Sequence, residues 1–299
     1  MTAGAGLSLI LVYSREHDPW HNLAVEERLM DCTADVDGGP VGILYLWQND
    51  HTVVIGRHQN AWSECRASLL EQEGGKLARR GSGGGAVYHD LGNLNFSILL
   101  PRALHDPARS SRVILEAVRS MGVAAELSGR NDILSGGHKF SGNAFQLTER
   151  AGLHHGTLLI ATDFEKVSRY LSVPKAKLDA KGIASVRSRI TNLGEIEPSV
   201  TVERACVALE DAFVQAYGGK TTRLADTGAF EDAAMRASQE RLASWGWRYG
   251  RTLPFQASLE HRFDWGSVRL EFTMENGTVT DHMMYSDMLD PDFPSLLSG

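Results

Sequence analysis

Residues 79–97 read RRGSGGGAVYHDLGNLNFS: two arginines, glycine at four of the next five positions, then a run with β-strand composition. A serine-glycine stretch is ordinarily a flexible connector. Here KLARR precedes the glycines and strand-forming residues follow them with no polar spacer, so the loop has to sit between strands. At Gly83, Gly84 and Gly85 it allows close backbone approach to a ligand and aims amide N–H groups at anionic oxygens. Arg79 and Arg80 place fixed positive charge beside that cradle, and a planar guanidinium suits bidentate contact with phosphate or carboxylate. No Gly-Lys-Ser/Thr closes the loop and no helix opens on it, which excludes a Walker loop and a dinucleotide fingerprint.

Around this loop the chain alternates short strands and helices. Leu7 to Tyr13 predicts a first strand, and Asp18-Pro19 starts a helix carrying Glu26 and Glu27. Residues 41–57 predict a β-hairpin turning at QNDH. A helix is expected over 61–73, stopped by Gly74-Gly75, and another over 111–121, capped by Ser110 or Ser111. Residues 123–160 read as strands and turns, and the apolar spacing from Val202 to Ala216 predicts a helix closed by Gly218-Gly219. The polar stretch 220–232 reads as a linker, which divides the chain into residues 1–220 and a smaller unit, 232–299. That second unit begins with a helix to about Trp245 and holds two alternating runs joined by Asn276-Gly277.

Three further stretches carry chemistry. In GRNDILSGGHKFSGNAFQ, residues 129–146, Lys139 would by itself read as a solvated lysine, yet small residues flank it on both sides. With Asn131 and Asp132 nearby, its ammonium is placed to hold a carboxylate and a phosphate together. In HHGTLL, His154 and His155 are candidate metal ligands, but adjacent strand residues point to opposite faces, so at most one of them faces a given site. In KAKLDAKGIASVRSR, residues 175–189, five basic residues face a single Asp179; the stretch is either a solvated helix face or a basic loop that closes on polyphosphate.

The formal charge of −7 and pI near 5.9 argue against a duplex-binding surface, so no nucleic-acid partner is expected. Leu7–Tyr13 is too short to cross a bilayer, and no membrane association is expected. Cys32, Cys65 and Cys206 are odd in number and form no CxxC pair, which fits a reducing cytoplasm.

With these residues in order, the sequence resembles the lipoate-protein ligase family through RRGSGGGAVYHDLGNLNFS, GRNDIL with KFSGNA, HHGTLL and KGIASVRSRITNL. The resemblance covers residues 8 to 218, and WRYGRTLPF and RFDWGSVRLEF extend it into that family's smaller C-terminal domain. It implies an α+β fold: a mixed β-sheet flanked by helices, of the biotin and lipoate ligase type related to class II aminoacyl-tRNA synthetases, with a small α+β accessory domain. It implies ATP-dependent formation of lipoyl-AMP from lipoate, then transfer to an acceptor lysine on lipoyl domains of 2-oxoacid dehydrogenase acyltransferase subunits or on the glycine-cleavage H protein.

By the same resemblance Arg80, Gly85, Ala86, Val87 and Tyr88 bind ATP, and Lys139 touches both the lipoate carboxyl and the α-phosphate. Ser82, Gly83, Gly84, Asn131, Asp132, Gly142, His155, Gly156, Thr157 and Lys181 complete the implied ATP and lipoyl-AMP site. Mg²⁺ is expected to be held largely by the phosphates, with Asn93 or Asp132 as protein candidates. The basic loop 175–189 is the candidate lid over the reactive anhydride, and the C-terminal unit is expected to be abbreviated relative to the larger family members. A transferase of the same fold that uses a preformed acyl donor is the principal alternative. In its thiol-dependent form it needs a nucleophilic cysteine, and none of the three cysteines lies in a glycine-rich stretch. A non-catalytic binding protein and a biotin ligase are the remaining alternatives.

Overall fold

Strand β2 (Val41–Trp47) is buried at all seven positions. Such a strand needs partners on both edges and cover on both faces. In the computed structural model, which describes residues 7–33, 39–129, 131–172, 189–250, 257–275 and 278–290, it has them. Strand β1 (Ser8–Tyr13) runs parallel on one side and β6 (Asn93–Pro101) antiparallel on the other. Beyond β6 follow β10 (Ala151–Leu159), β9 (His138–Leu147), β8 (Asp132–Ser135) and β7 (Glu126–Ser128), while β11 (Thr221–Leu224) pairs parallel outside β1. The result is a mixed eight-stranded sheet.

Helices α4 (Pro107–Ser120) and α7 (Val202–Tyr217) cover one face, burying Ile114, Val118, Leu209 and Phe213 against Leu44, Phe96 and Leu158. Helix α1 (Pro19–Cys32) covers the other, with Leu23 and Leu29 packed on Ile43, Tyr45 and Leu99. Asp18 caps α1 by accepting from the Trp20 and His21 amides. On the α1 side a second sheet is formed by β3 (Thr52–Ile55) between β4 (Lys76–Arg79) and β5 (Val87–His89). Short helices α2 (Ala61–Glu64), α3 (Ala67–Gln72) and α5 (Phe164–Tyr170) surround it, and α6 (Leu193–Ile196) follows along the chain. Helices α8 (Ala233–Ala243) and α9 (Trp245–Tyr249) precede a third sheet, antiparallel, of β12 (Ala257–Phe263), β13 (Gly266–Glu275) and β14 (Thr278–Ser286). Among the described residues no helix is long and apolar enough to cross a membrane.

The mixed sheet with flanking helices and a small separate C-terminal sheet agrees with the expected α+β class, but four local expectations change. Residues 41–57 are not a hairpin: β2 and β3 enter different sheets, because each is buried throughout and draws its partners from elsewhere in the chain. The expected 61–73 helix breaks at Cys65, whose extended backbone bridges to Leu171. Helix α4 starts earlier than expected, capped by Asp106. Where composition suggests a linker, Thr221–Leu224 is the edge strand of the main sheet, and α8 then packs on α1 through Met235 and Leu242.

Candidate active site

The glycine loop joins β4 to β5, between strands as the sequence requires. It faces the α1 side of the main sheet, whose rungs are set by register. One rung aligns Trp47, Asn95 and Thr157; the next aligns Tyr45, Ser97, His155 and Ala144. Between this floor and a roof of Val54, Val87, His89 and residues Gly84–Ala86 lies a cavity of about 630 Å³ counting its open mouth, with Leu23 of α1 in its wall.

Lys139 reaches this cavity through an irregularity in pairing. Ile133 pairs with Ser141 but Leu134 pairs with Lys139, so β9 carries one extra residue at Phe140. A bulge of this kind reverses alternation beyond it. Phe140 therefore enters the core with Ile133, while Lys139 lines the cavity together with Gly142 and Ala144. Its Nζ lies 2.6 Å from Asp132 Oδ1, both side chains about one-third exposed. Gly142 leaves space for the ammonium, since a Cβ there would stand 3.1 Å from Nζ. The Lys139 backbone is fixed by Arg189 O and the Thr191 amide, at 2.7 and 2.9 Å.

Arg80 is buried, and its donors turn inward. Nη2 donates to Gly83 O and Gly85 O at 2.7 and 2.8 Å, Nη1 donates to Val54 O, and Nε donates to Ser82 Oγ at 3.1 Å. By drawing the loop carbonyls onto one cation it fixes the loop shape. Ser82 passes the chain on, its hydroxyl donating to His155 Nε2 at 2.6 Å, and His155 Nδ1 donates to the Glu26 carboxylate at 2.9 Å. Glu26 also accepts from the Ser97 hydroxyl. This directed chain ties α1, the floor and the glycine loop together, with Glu26 as the buried counter-charge to Arg80. Burial lowers the Arg80 guanidinium to about 10, opposed by the Glu26 charge.

Of the implied site residues, Arg80, Gly84, Gly85, Ala86, Val87, Asn131, Lys139, Gly142, His155, Gly156 and Thr157 line one cavity. The glycine loop of the second sheet and Lys139 of the main sheet are thereby brought together. Ser82 acts through His155, and Asp132 through Lys139. Gly83 packs against the chain after β14: a Cβ there would meet Met288 O at 2.0 Å, and the Gly84 amide donates to that same carbonyl at 2.8 Å. Tyr88 points away, stacked on Tyr170. Asn93 is fully buried and donates to Asn95 Oδ1. Lys181 and most of the expected basic lid, residues 175–188, lie outside the described residues.

Arg79 does not serve the cradle as expected. Its guanidinium donates to the carbonyls of Gly56, Arg57, Gln59, Trp247 and Arg248, which makes it a structural clamp. His154 and His155 do face opposite sides; His154 is buried against Phe145, bonded to Asn143 Oδ1, and held down to about 3 by burial. Among the described residues no group of three or more His, Cys, Asp or Glu side chains gathers to hold a metal. None of the three cysteines lines the cavity, and burial pushes the Cys65 thiol up to about 12. Sequence reasoning missed Leu23, Trp47, Val54, His89, Asn95 and the role of Glu26. Only Glu26 had a local signal, a carboxylate at the apolar i+3 position after Leu23.

Family models match residues 18–214 to the lipoyl protein ligase A/B catalytic domain and residues 252–298 to the bacterial lipoate protein ligase C-terminus. Among solved structures, P. falciparum LipL1 in complex with lipoate is 30% identical, covering 98% of this chain and 88% of that one, with TM-score 0.84. The bipartite lipoate protein ligase from Thermoplasma acidophilum, solved with its E2 lipoyl domain, is 27% identical over 84% of this chain and 100% of that one, with TM-score 0.72. Lipoate-protein ligase A bound with ATP is 28% identical over 83% and 99%, with TM-score 0.67.

Proposed function

We propose, from the premise that this chain belongs to the lipoyl protein ligase A/B family, that it activates lipoate with ATP and transfers the lipoyl group to a lysine of an acceptor lipoyl domain. The observation that carries this reading is the shared cavity of the glycine loop and Lys139. Two anions must meet in the first step, and a preorganised cation between them relieves their repulsion. Lys139, steadied by Asp132, supplies that cation. The lipoate carboxylate attacks the α-phosphorus, a C–O–P linkage forms, and pyrophosphate leaves. The acceptor amine then attacks the mixed anhydride carbonyl, an amide forms, and AMP departs.

Arg80 keeps the loop in shape for the nucleotide, and the Gly85 side of the loop is open, with no atom within 4 Å of a Cβ placed there. Mg²⁺ would spread the phosphate charge when bound. The Asp132 carboxylate beside Lys139 is a hard oxygen donor that fits a cation shared with phosphates. Asn93, buried and outside the cavity lining, does not fit.

The proposal includes a catalytic unit and a C-terminal accessory unit, a cytoplasmic location, and acceptors among 2-oxoacid dehydrogenase acyltransferase subunits and the glycine-cleavage H protein. The T. acidophilum relative solved with an E2 lipoyl domain supports the acceptor class. Mass spectrometry of an apo lipoyl domain incubated with the protein, lipoate and Mg²⁺, with and without ATP, is the test. Lipoylation only with ATP is expected; lipoylation from a preformed acyl donor alone, with none from lipoate and ATP, points to a transferase instead.

A further inference from the structure

Lys139 sits where the main sheet holds its backbone least. Pairing of β10 with β9 stops at Gly156 and Asn143, the bulge at Phe140 interrupts pairing with β8, and the exposed Gly136-Gly137 turn stands just before. Both backbone polar groups of Lys139 are instead taken by residues 189–191. The Lys139 amide donates to Arg189 O at 2.7 Å and its carbonyl accepts from the Thr191 amide at 2.9 Å, a parallel bridge centred on Ile190.

Ile190 is seated in a different core. Its side chain packs on the second-sheet cluster that holds Val53, Ile55, Leu77 and Tyr88, and it does not line the cavity. Ala86 of the glycine loop packs on the same cluster. Next in the chain, Asn192 is buried; its Oδ1 accepts from the Thr162 amide and its Nδ2 donates to Thr162 O, both at 3.0 Å. That double bond to one peptide unit anchors residues 189–191 against sliding along β9. The Ser82 hydroxyl ties the glycine loop to His155 on β10, but at Lys139 β10 no longer pairs with β9. The close-packed second-sheet core is therefore a support that the glycine loop and the Lys139 backbone have in common.

We infer that Ile190, with Asn192 as its anchor, is a positioning residue for the first step: seated in the second-sheet core, it sets where the Lys139 ammonium stands relative to the glycine loop. This rests on the reading of Lys139 as the cation that joins carboxylate and phosphate. Truncating Ile190 keeps the hydrogen bonds of residues 189–191 to Lys139 but frees that segment from the core, so Lys139 shifts with it. A misplacement of about 1 Å costs about 10² in rate.

The test is single-turnover pyrophosphate release from ATP and lipoate by the full-length protein, with urea unfolding of each variant alongside. Ile190→Ala is expected to lower the maximal rate at least about tenfold, while the half-saturating ATP concentration moves by less than about threefold. Ile190→Val keeps most of the contact and is expected to recover most of that loss. Leu69→Ala removes a partly buried side chain from the same cluster, on α3 and away from Lys139, and is expected to lose stability but keep the rate. Should Ile190→Ala not fold, Asn192→Ala frees the same segment at its other anchor and is expected to lower the maximal rate likewise. A wild-type maximal rate in the folded variant, or an equal loss in Leu69→Ala, would overturn the inference and leave the ligase reading intact; no release by wild-type protein would overturn both.

Discussion

A methyl group on Gly56 tests whether the glycine loop is held by close backbone contact. Its Cβ would stand 2.2 Å from Gly84 O, a backbone atom, and 3.2 Å from Gly83 C. Ordinary contact begins at 3.4 Å, so the loop must retreat by about 1.2 Å. That retreat stretches the bond from the Arg57 amide to Ser82 O, now 2.9 Å, and pulls Ser82 from His155. Overpacking of this kind costs about 1–3 kcal/mol, and an ångström of misplacement costs about 10² in rate. Gly85→Ala is the matched control: a Cβ there meets nothing within 4 Å, so the fold tolerates it, while the methyl projects into space assigned to the nucleotide. Urea unfolding and lipoate-dependent pyrophosphate release measure the two effects. Gly56→Ala should lose both stability and rate; Gly85→Ala should keep its unfolding midpoint and raise the KM for ATP. A Gly56→Ala protein with wild-type midpoint and rate would refute the reasoning.

Other residues of the same framework have distinct signatures. Glu26→Gln keeps shape but removes the charge that accepts from His155 and Ser97, and should destabilise by about 2 kcal/mol in chemical denaturation. Arg79→Lys cannot span five carbonyl oxygens and should cost more than about 3 kcal/mol, read the same way. His89 and His154 are held neutral, both down to about 3 from an ordinary 6.5. The unfolded chain binds their protons first as pH falls, so their contribution is complete above about pH 6.5 and lost toward pH 3, by up to about 1.4 kcal/mol per pH unit for each. Unfolding midpoints across that window should fall on acidification, less steeply in His154→Gln; a slope unchanged by that substitution would contradict the assignment.

The parts of the site that sequence made legible are those whose chemistry is local. The glycine loop declares itself through composition, and Lys139 through the small residues around it. The opposite orientation of His154 and His155 follows from the alternation of a single strand. The rest depends on which strands become neighbours. Trp47 and Val54 fall in the stretch expected to form one hairpin; in the structure they stand on facing walls of the cavity, because β2 and β3 part into different sheets. Asn95 gains its position only when β2 and β10 flank β6, a pairing of segments far apart in the chain. Arg79 and Arg80 are adjacent and look equivalent in sequence, yet alternation sends one to the carbonyls around α9 and the other to the glycine loop. The bulge that turns Lys139 toward the cavity leaves no mark in composition at all.

We propose that Lys139 joins carboxylate and phosphate in the first step, so pyrophosphate release by Lys139→Ala, in the presence of ATP, Mg²⁺ and lipoate, is decisive. A fall of about 10²–10³ in rate with an unchanged unfolding midpoint is the expected result. Near-wild-type release by a folded Lys139→Ala protein would contradict it.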